Sequence, residues 1–291
     1  MILVTGAAGT TGSEVTRLLA SKGVRVRAML RDPEKAKRFT GSSVEPVIAD
    51  LDDPSSLDPA LKGIDKVFLV SSVDPRVSQL HGNVIEASKR AGVKQIVRLS
   101  ALGAATNSPA QILKWHGEVD ERLSRSGLSF SILRPHSFMQ NYLALRGTVQ
   151  SEGAIYLPAR EGKIVAIDAR DVALTAVAVL TGEGHSGRIY DLTGPELLSF
   201  ADIAEKIGKA IGRTVTYTDV PAEAAREAML AMGRPDYLVN GFIELLGLYA
   251  GGSFHDVTQT VQKITGSPPR SFDTFADDFS SLFAGKAVSE S

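Results

Sequence analysis

Three places in this 291-residue chain carry residues whose types and spacing could do chemistry. The first is Ile2 to Gly12, I-L-V-T-G-A-A-G-T-T-G, where a short apolar run meets a turn with glycines at Gly6, Gly9 and Gly12 and a helical pattern follows at once. Gly6 lets the chain leave a strand through a tight turn. Gly9 leaves room for backbone N–H groups to approach anionic oxygens, and Gly12 lets the helix pack close to the strand. A helix starting there offers free N–H donors and the positive end of its dipole, with Ala8, Thr10 and Thr11 beside them. Glycines spaced G-x-x-G-x-x-G between strand and helix point to a dinucleotide pyrophosphate; a plain strand–helix turn is the other reading.

The second place is the end of the second strand, Met29-Leu30-Arg31-Asp32-Pro33. A carboxylate there would hold the adenosine ribose hydroxyls, and a cation would accommodate a 2′-phosphate. Arg31 is assigned to the phosphate and Asp32 to the cap of the next helix, so NADP(H) is the expected cofactor. A solvated surface arginine is the alternative. Asp50 and Leu51 end the third strand, where a carboxylate can accept from the adenine amino group or simply form a turn. Ser71 and Ser72 end the fourth and are expected to face the nicotinamide half, or to serve only as small residues that clear the backbone.

The third place is His116 with Asp120 four residues on, one helical turn away on the same face. Histidine's ordinary pKa lies near neutrality, so His116 is a candidate for proton transfer, with Asp120 orienting the ring. It could instead hydrogen-bond the nicotinamide ribose or carboxamide, or form a structural pair with Asp120. His81, His185 and His255 are scattered without metal-ligand spacing, so no metal is expected.

These residues need a scaffold. Apolar runs at Ile2–Thr5, Val24–Leu30, Val44–Ala49, Lys66–Ser71, Gln95–Ser100 and Phe130–Arg134 alternate with amphipathic stretches such as Glu14–Ser21 and Val77–Ala91. Asp32-Pro33 and Asp53-Pro54 read as cap and first residue of two further helices. The rhythm predicts an α/β fold: a Rossmann-type doubly wound parallel sheet with a smaller, mainly helical C-terminal substrate lobe. Later elements are expected at Lys163–Ile167 (strand), Asp171–Leu180 (helix, capped by Asp168), Arg188–Leu192 (strand), Ser199–Ile211 (helix) and Thr214–Val220 (strand). Helices follow over Ala222–Phe283, and the tail from Gly285 is expected to fray. The nucleotide domain is drawn over 1–152 and 163–195, the lobe over 196–285 with 153–162, and the substrate site between them.

Composition narrows the function classes. A net charge of −1 gives no general attraction to nucleic acid or anionic membrane, and the absence of cysteine excludes disulfides and thiolate catalysis. No apolar run reaches membrane-spanning length, and the chain opens straight into a strand without room for a signal peptide, so a cytoplasmic location is expected.

Together, the Gly6–Gly12 turn, Arg31, Asp50, Ser100 and Leu133-Arg134-Pro135 resemble an atypical short-chain dehydrogenase/reductase, and more narrowly the NmrA-like group. The resemblance continues through Ile167-Asp168-Ala169-Arg170-Asp171-Val172-Ala173 and Tyr190-Asp191-Leu192-Thr193-Gly194-Pro195-Glu196. It implies an NADPH-dependent oxidoreductase passing hydride to a quinone-like or other conjugated small molecule. The group also contains a non-catalytic NADP(H) sensor, which is the alternative and would bring a regulatory protein partner. A homodimer is possible. The superfamily's Tyr-x-x-x-Lys pair is missing: no tyrosine has a lysine four residues on. His116 stands where similar reductases carry a histidine or lysine. The resemblance also places the Ser100 hydroxyl near a substrate carbonyl, although a strand-end backbone bond would explain it equally. Tyr142 and Phe254, with Phe138, are candidates to wall a flat apolar pocket, although Phe138 also reads as core.

Overall fold

The computed structural model describes residues 1–39 and 43–285; the tail beyond Gly285 lies outside them. Seven strands form one sheet in the order β3-β2-β1-β4-β5-β6-β9: β1 (Ile2–Val4), β2 (Val26–Leu30), β3 (Val44–Ile48), β4 (Lys66–Leu69), β5 (Gln95–Leu99), β6 (Ser129–Pro135) and β9 (Arg188–Leu192). Every neighbouring pair from β3 across to β6 is parallel, with Leu3 opposite both Arg27 and Val67. Order reverses at β1, so the crevice outside the carboxyl ends of β1 and β4 is the place where such sheets take ligands. Pro46 is tolerated in β3 because that strand lies at the edge.

Crossover helices connect the strands: α1 (Thr10–Ser21), α2 (Pro33–Ala36), α3 (Pro54–Leu61), α4 (Val77–Ala91) and α5 (Gln111–Ser124). Asp32 accepts from the Glu34 N–H and Asp53 from the Ser55 N–H, each with proline at the first helical position, as the sequence predicts. The core under this sheet joins Leu3, Leu69, Ile96 and Ile132 of the strands to Leu57, Val84, Ile85 and Val119 of the helices.

The chain contacts divide into two compact units, Met1–Pro135 with Arg170–Asp191 and Lys263–Gly266, and His136–Ala169 with Leu192–Gln262 and Ser267–Ser291. The second holds α6 (Arg146–Glu152), β7 (Ala154–Leu157), the short antiparallel pair β8 (Lys163–Ile164) and β10 (Leu198–Ser199), α8 (Phe200–Ile211), β11 (Thr216–Asp219), α9 (Ala222–Ala231), α10 (Asp236–Ala250), α12 (Phe272–Asp278) and α13 (Ser280–Ala284). The chain also forms α7 (Ala169–Thr181) and α11 (Thr260–Thr265). The predicted strand over Lys163–Ile167 ends at Ile164; Ile167 instead makes an isolated bridge to Phe138. The sequence reading also passes over β7, which pairs with β11, and a 3-10 helix at Met139–Leu145. A Ser199–Asp202 capping box starts α8. Among the described residues no helix is long and apolar enough to cross a membrane.

Candidate active site

The glycine turn is built for close approach. Gly6 sits in the left-handed region at φ 55°, and a Cβ on Gly12 would come within 2.2 Å of the Gly6 carbonyl oxygen. Gly12 therefore lets the helix start fold onto the turn itself, a tighter constraint than the helix–strand packing expected of it. The turn is tied to the end of β4: Thr5 Oγ1 donates to the Val70 carbonyl at 2.7 Å and accepts from the Val70 N–H at 2.8 Å. Gly9 caps α1 with no side chain on its N–H groups, and the first turn contains no acid to repel an anion. Ala8, Gly9 and Thr10 are exposed, whereas Thr11 is buried. Free helical N–H groups in a cradle that a Cβ would fill fit a pyrophosphate.

At the other strand ends, Arg31 is exposed directly after β2. It stands close enough to the Asp74 carboxyl to help hold it below the usual carboxylate range, after the larger effect of the Arg76 hydrogen bond. Asp50 accepts from the Asp52 N–H at 3.0 Å, forming a turn, and half-buried Leu51 accepts from Asn83 Nδ2 at 2.9 Å.

A small recess is lined by Ser71 and Ser72 after β4, His81 of α4, Leu99 of β5, and Trp115 and His116 of α5. The fold thus brings His116 together with Ser71 and Ser72. Helix α5 can seat there because Gly117 has no side chain: a Cβ would lie 2.3 Å from the Ala105 backbone. Behind the recess is a charge cluster that the sequence reading misses. Arg98, fully buried in β5, places Nε 3.4 Å from His81 Nδ1 and Nη2 3.0 Å from His116 Nδ1, while Nη1 donates to Asp120 Oδ1. Asp120 Oδ2 accepts from Ser100 Oγ at 2.9 Å and from Arg134 Nε at 3.0 Å. Two guanidinium groups on one buried carboxylate keep Asp120 paired. Burial draws the Arg98 pKa down to about 10, which leaves the group charged at neutrality. His81 Nε2 lies 2.9 Å from Ser71 Oγ, which donates to the Ser72 carbonyl at 3.0 Å.

Three expectations are corrected here. Asp120 does not orient His116; its carboxylate serves Arg98, Arg134 and Ser100, and Arg98 holds the ring. Nor does His116 titrate near neutrality: burial, then the neighbouring Arg98 charge, pushes its pKa down to about 3. The Ser100 hydroxyl is buried and donates to Asp120, so it is not held for a substrate carbonyl. The aromatic residues lie in the second unit and do not form one wall. Tyr142 is a core residue, its ring 5.5 Å from Phe272 and 6.4 Å from Phe200. Half-buried Phe254 packs edge-on to His136 and Tyr249 at φ 64°, and half-buried Phe138 bridges to Ile167. One signal for the cluster was available: an arginine at the centre of an apolar strand demands a buried counter-charge.

Comparison with known proteins agrees with this geometry. Residues 6–183 match the family model described as NAD(P)H-binding. The NAD(P)H azoreductase of Xenophilus azovorans is 40% identical over 283 residues, covering 97% of this chain and 99% of that one. The NADPH-dependent quinone oxidoreductase of Escherichia coli in complex with NADPH superposes with a TM-score of 0.88 at 30% identity, covering 96% of this chain and 99% of that one. The triphenylmethane reductase of Citrobacter sp. complexed with NADP(H) gives 0.83 at 25% identity, covering 95% and 99%. The chain therefore belongs to the NAD(P)H-binding family and is an NAD(P)H-dependent oxidoreductase.

Proposed function

We propose that the chain uses NADPH to reduce conjugated small molecules, of which quinones, azo dyes and cationic triarylmethane dyes are the model class. In this reading the backbone from Gly6 to Gly12 holds the pyrophosphate, with Ala8, Thr10 and Thr11 at its edge. Arg31 pairs with the 2′-phosphate, Asp50 and Leu51 border the adenine, and Ser71 and Ser72 border the nicotinamide half. When bound, the reduced nicotinamide supplies hydride.

The observation that carries the acceptor class is the chemistry of the recess. Its ionisable side chains are His81 and His116, both driven by burial well below their ordinary pKa, and the chain lacks the superfamily's Tyr-x-x-x-Lys proton donor. A site without a strong acid suits an acceptor that spreads incoming charge over a π-system and suits an isolated carbonyl poorly. The named activities of the azoreductase, quinone and dye relatives support the same class.

The test follows loss of the reduced-nicotinamide absorbance with quinones, azo dyes, triphenylmethane dyes and simple aldehydes. Turnover with the conjugated compounds and not with aldehydes is expected. Turnover with aldehydes alone, or with none of the panel, contradicts the proposal.

A further inference from the structure

The Arg98 guanidinium contains only donors. A hydrogen bond from its Nη2 to His116 Nδ1 at 3.0 Å therefore requires a lone pair on that nitrogen, and the single ring proton must reside on Nε2. The Arg98 bond to His81 Nδ1 makes the same demand of the second histidine, whose Nε2–H is used by Ser71 Oγ. His116 also lines the recess, and its hydrogen bond to Arg98 uses Nδ1 alone. The charged groups around it leave no means of switching this state. Arg98 of β5 faces the Nδ1 edge, and Asp120, one turn further along α5, is taken by Arg98 and by Arg134 of β6. The ring of His81 on α4 is held by the same guanidinium.

We propose that Arg98 is a positioning residue that locks His116 as the neutral Nε2–H tautomer, making His116 a fixed hydrogen-bond donor to the oxygen or nitrogen on which the reduced acceptor gathers charge. The inference rests on the reductase reading. With a cationic dye hydride simply neutralises the cation; with a quinone or an azo compound it brings two electrons and a proton and leaves an electron pair, hence an anion, on the oxygen or nitrogen. His116 Nε2–H stabilises that anion without surrendering its proton, and water supplies the second proton. A donor aimed where charge develops acts as an oxyanion-hole group does. Because its role is donation and not proton transfer, its contribution does not vary with pH around neutrality.

Nitrogen-15 spectra of the histidine rings test the lock directly. In the wild-type protein His116 is expected to give a pyrrole-type Nε2 and a pyridine-type Nδ1 signal, unchanged between pH 5 and 8. A Nδ1–H tautomer, or titration near the ordinary value of about 6.5, overturns it. In Arg98→Gln the ring is released, and both a second tautomer and a new acid limb in the pH profile of kcat are expected. Should that variant not fold, the wild-type spectrum still decides. For the donor role, His116→Leu is expected to lower kcat at least about tenfold with little change in the KM for NADPH, and His116→Gln, which retains a donor nitrogen, to recover part of the loss. Equal kcat values in wild type and His116→Leu overturn the role. An enzyme idle with every acceptor instead removes the reductase reading, while the spectra still establish whether Arg98 sets the tautomer.

Discussion

His116 in the first unit and His136 in the second are both pressed below their ordinary pKa by burial, to about 3 and about 4, but their surroundings differ in kind. His136 is held by backbone: its Nδ1 accepts from the Ser137 N–H at 2.6 Å and its Nε2 lies 3.2 Å from the Phe254 carbonyl. Aromatic rings enclose it, with Tyr249 stacked at 5.2 Å. Both of its nitrogens are occupied. His116 is held by one side chain, Arg98, itself buried only because Asp120 compensates it. The residue itself lines the recess. Backbone partners fix a ring wherever the chain folds. A guanidinium partner fixes a ring only while a charge network survives, a fragile arrangement better explained by a site than by stability.

The sharpest way to break that contrast is to remove each holder. Arg98→Met leaves Asp120 with one cation and both imidazoles without their donor; a loss of about 3–5 kcal/mol in unfolding free energy is expected from urea melts. His136→Leu strands one N–H and one carbonyl among rings, for which about 1–3 kcal/mol is expected. The reverse order would show that the network is not under tension.

Acid sharpens the comparison without mutation. Both histidines bind protons in the unfolded chain near 6.5 and resist them when folded, so the unfolded state holds more protons between that value and about 3 to 4. Stability is full above pH 6.5 and falls as pH drops through this window, by at most about 1.4 kcal/mol per pH unit for each histidine. His116→Gln is expected to flatten that fall and leave the shares of His136 and of His81, which burial also holds well below its ordinary value. An unchanged slope would mean that the ring already titrates freely.

Much of this architecture was legible in the chain because it is local. The apolar runs, the Asp32-Pro33 and Asp53-Pro54 caps and the glycine turn each declare themselves within a few residues, and the sheet has the expected doubly wound form. Pairings between distant residues were less legible. Arg98, Asp120 and Arg134 lie on three elements, and neither β7 nor Tyr142 shows in sequence that its partners, β11 and Phe272, are 60 or more residues away. Asp120 looked like the partner of His116 because helical spacing is visible in a sequence and a competing buried arginine is not.

The central claim is that Gly6–Gly12 and Arg31 select a 2′-phosphorylated dinucleotide, and titration calorimetry tests it most directly. NADPH is expected to bind at least about tenfold more tightly than NADH, with Arg31→Ala erasing most of that difference and leaving NADH affinity in place. Equal affinities in the wild type, or an Arg31→Ala protein that discriminates as before, would contradict the account.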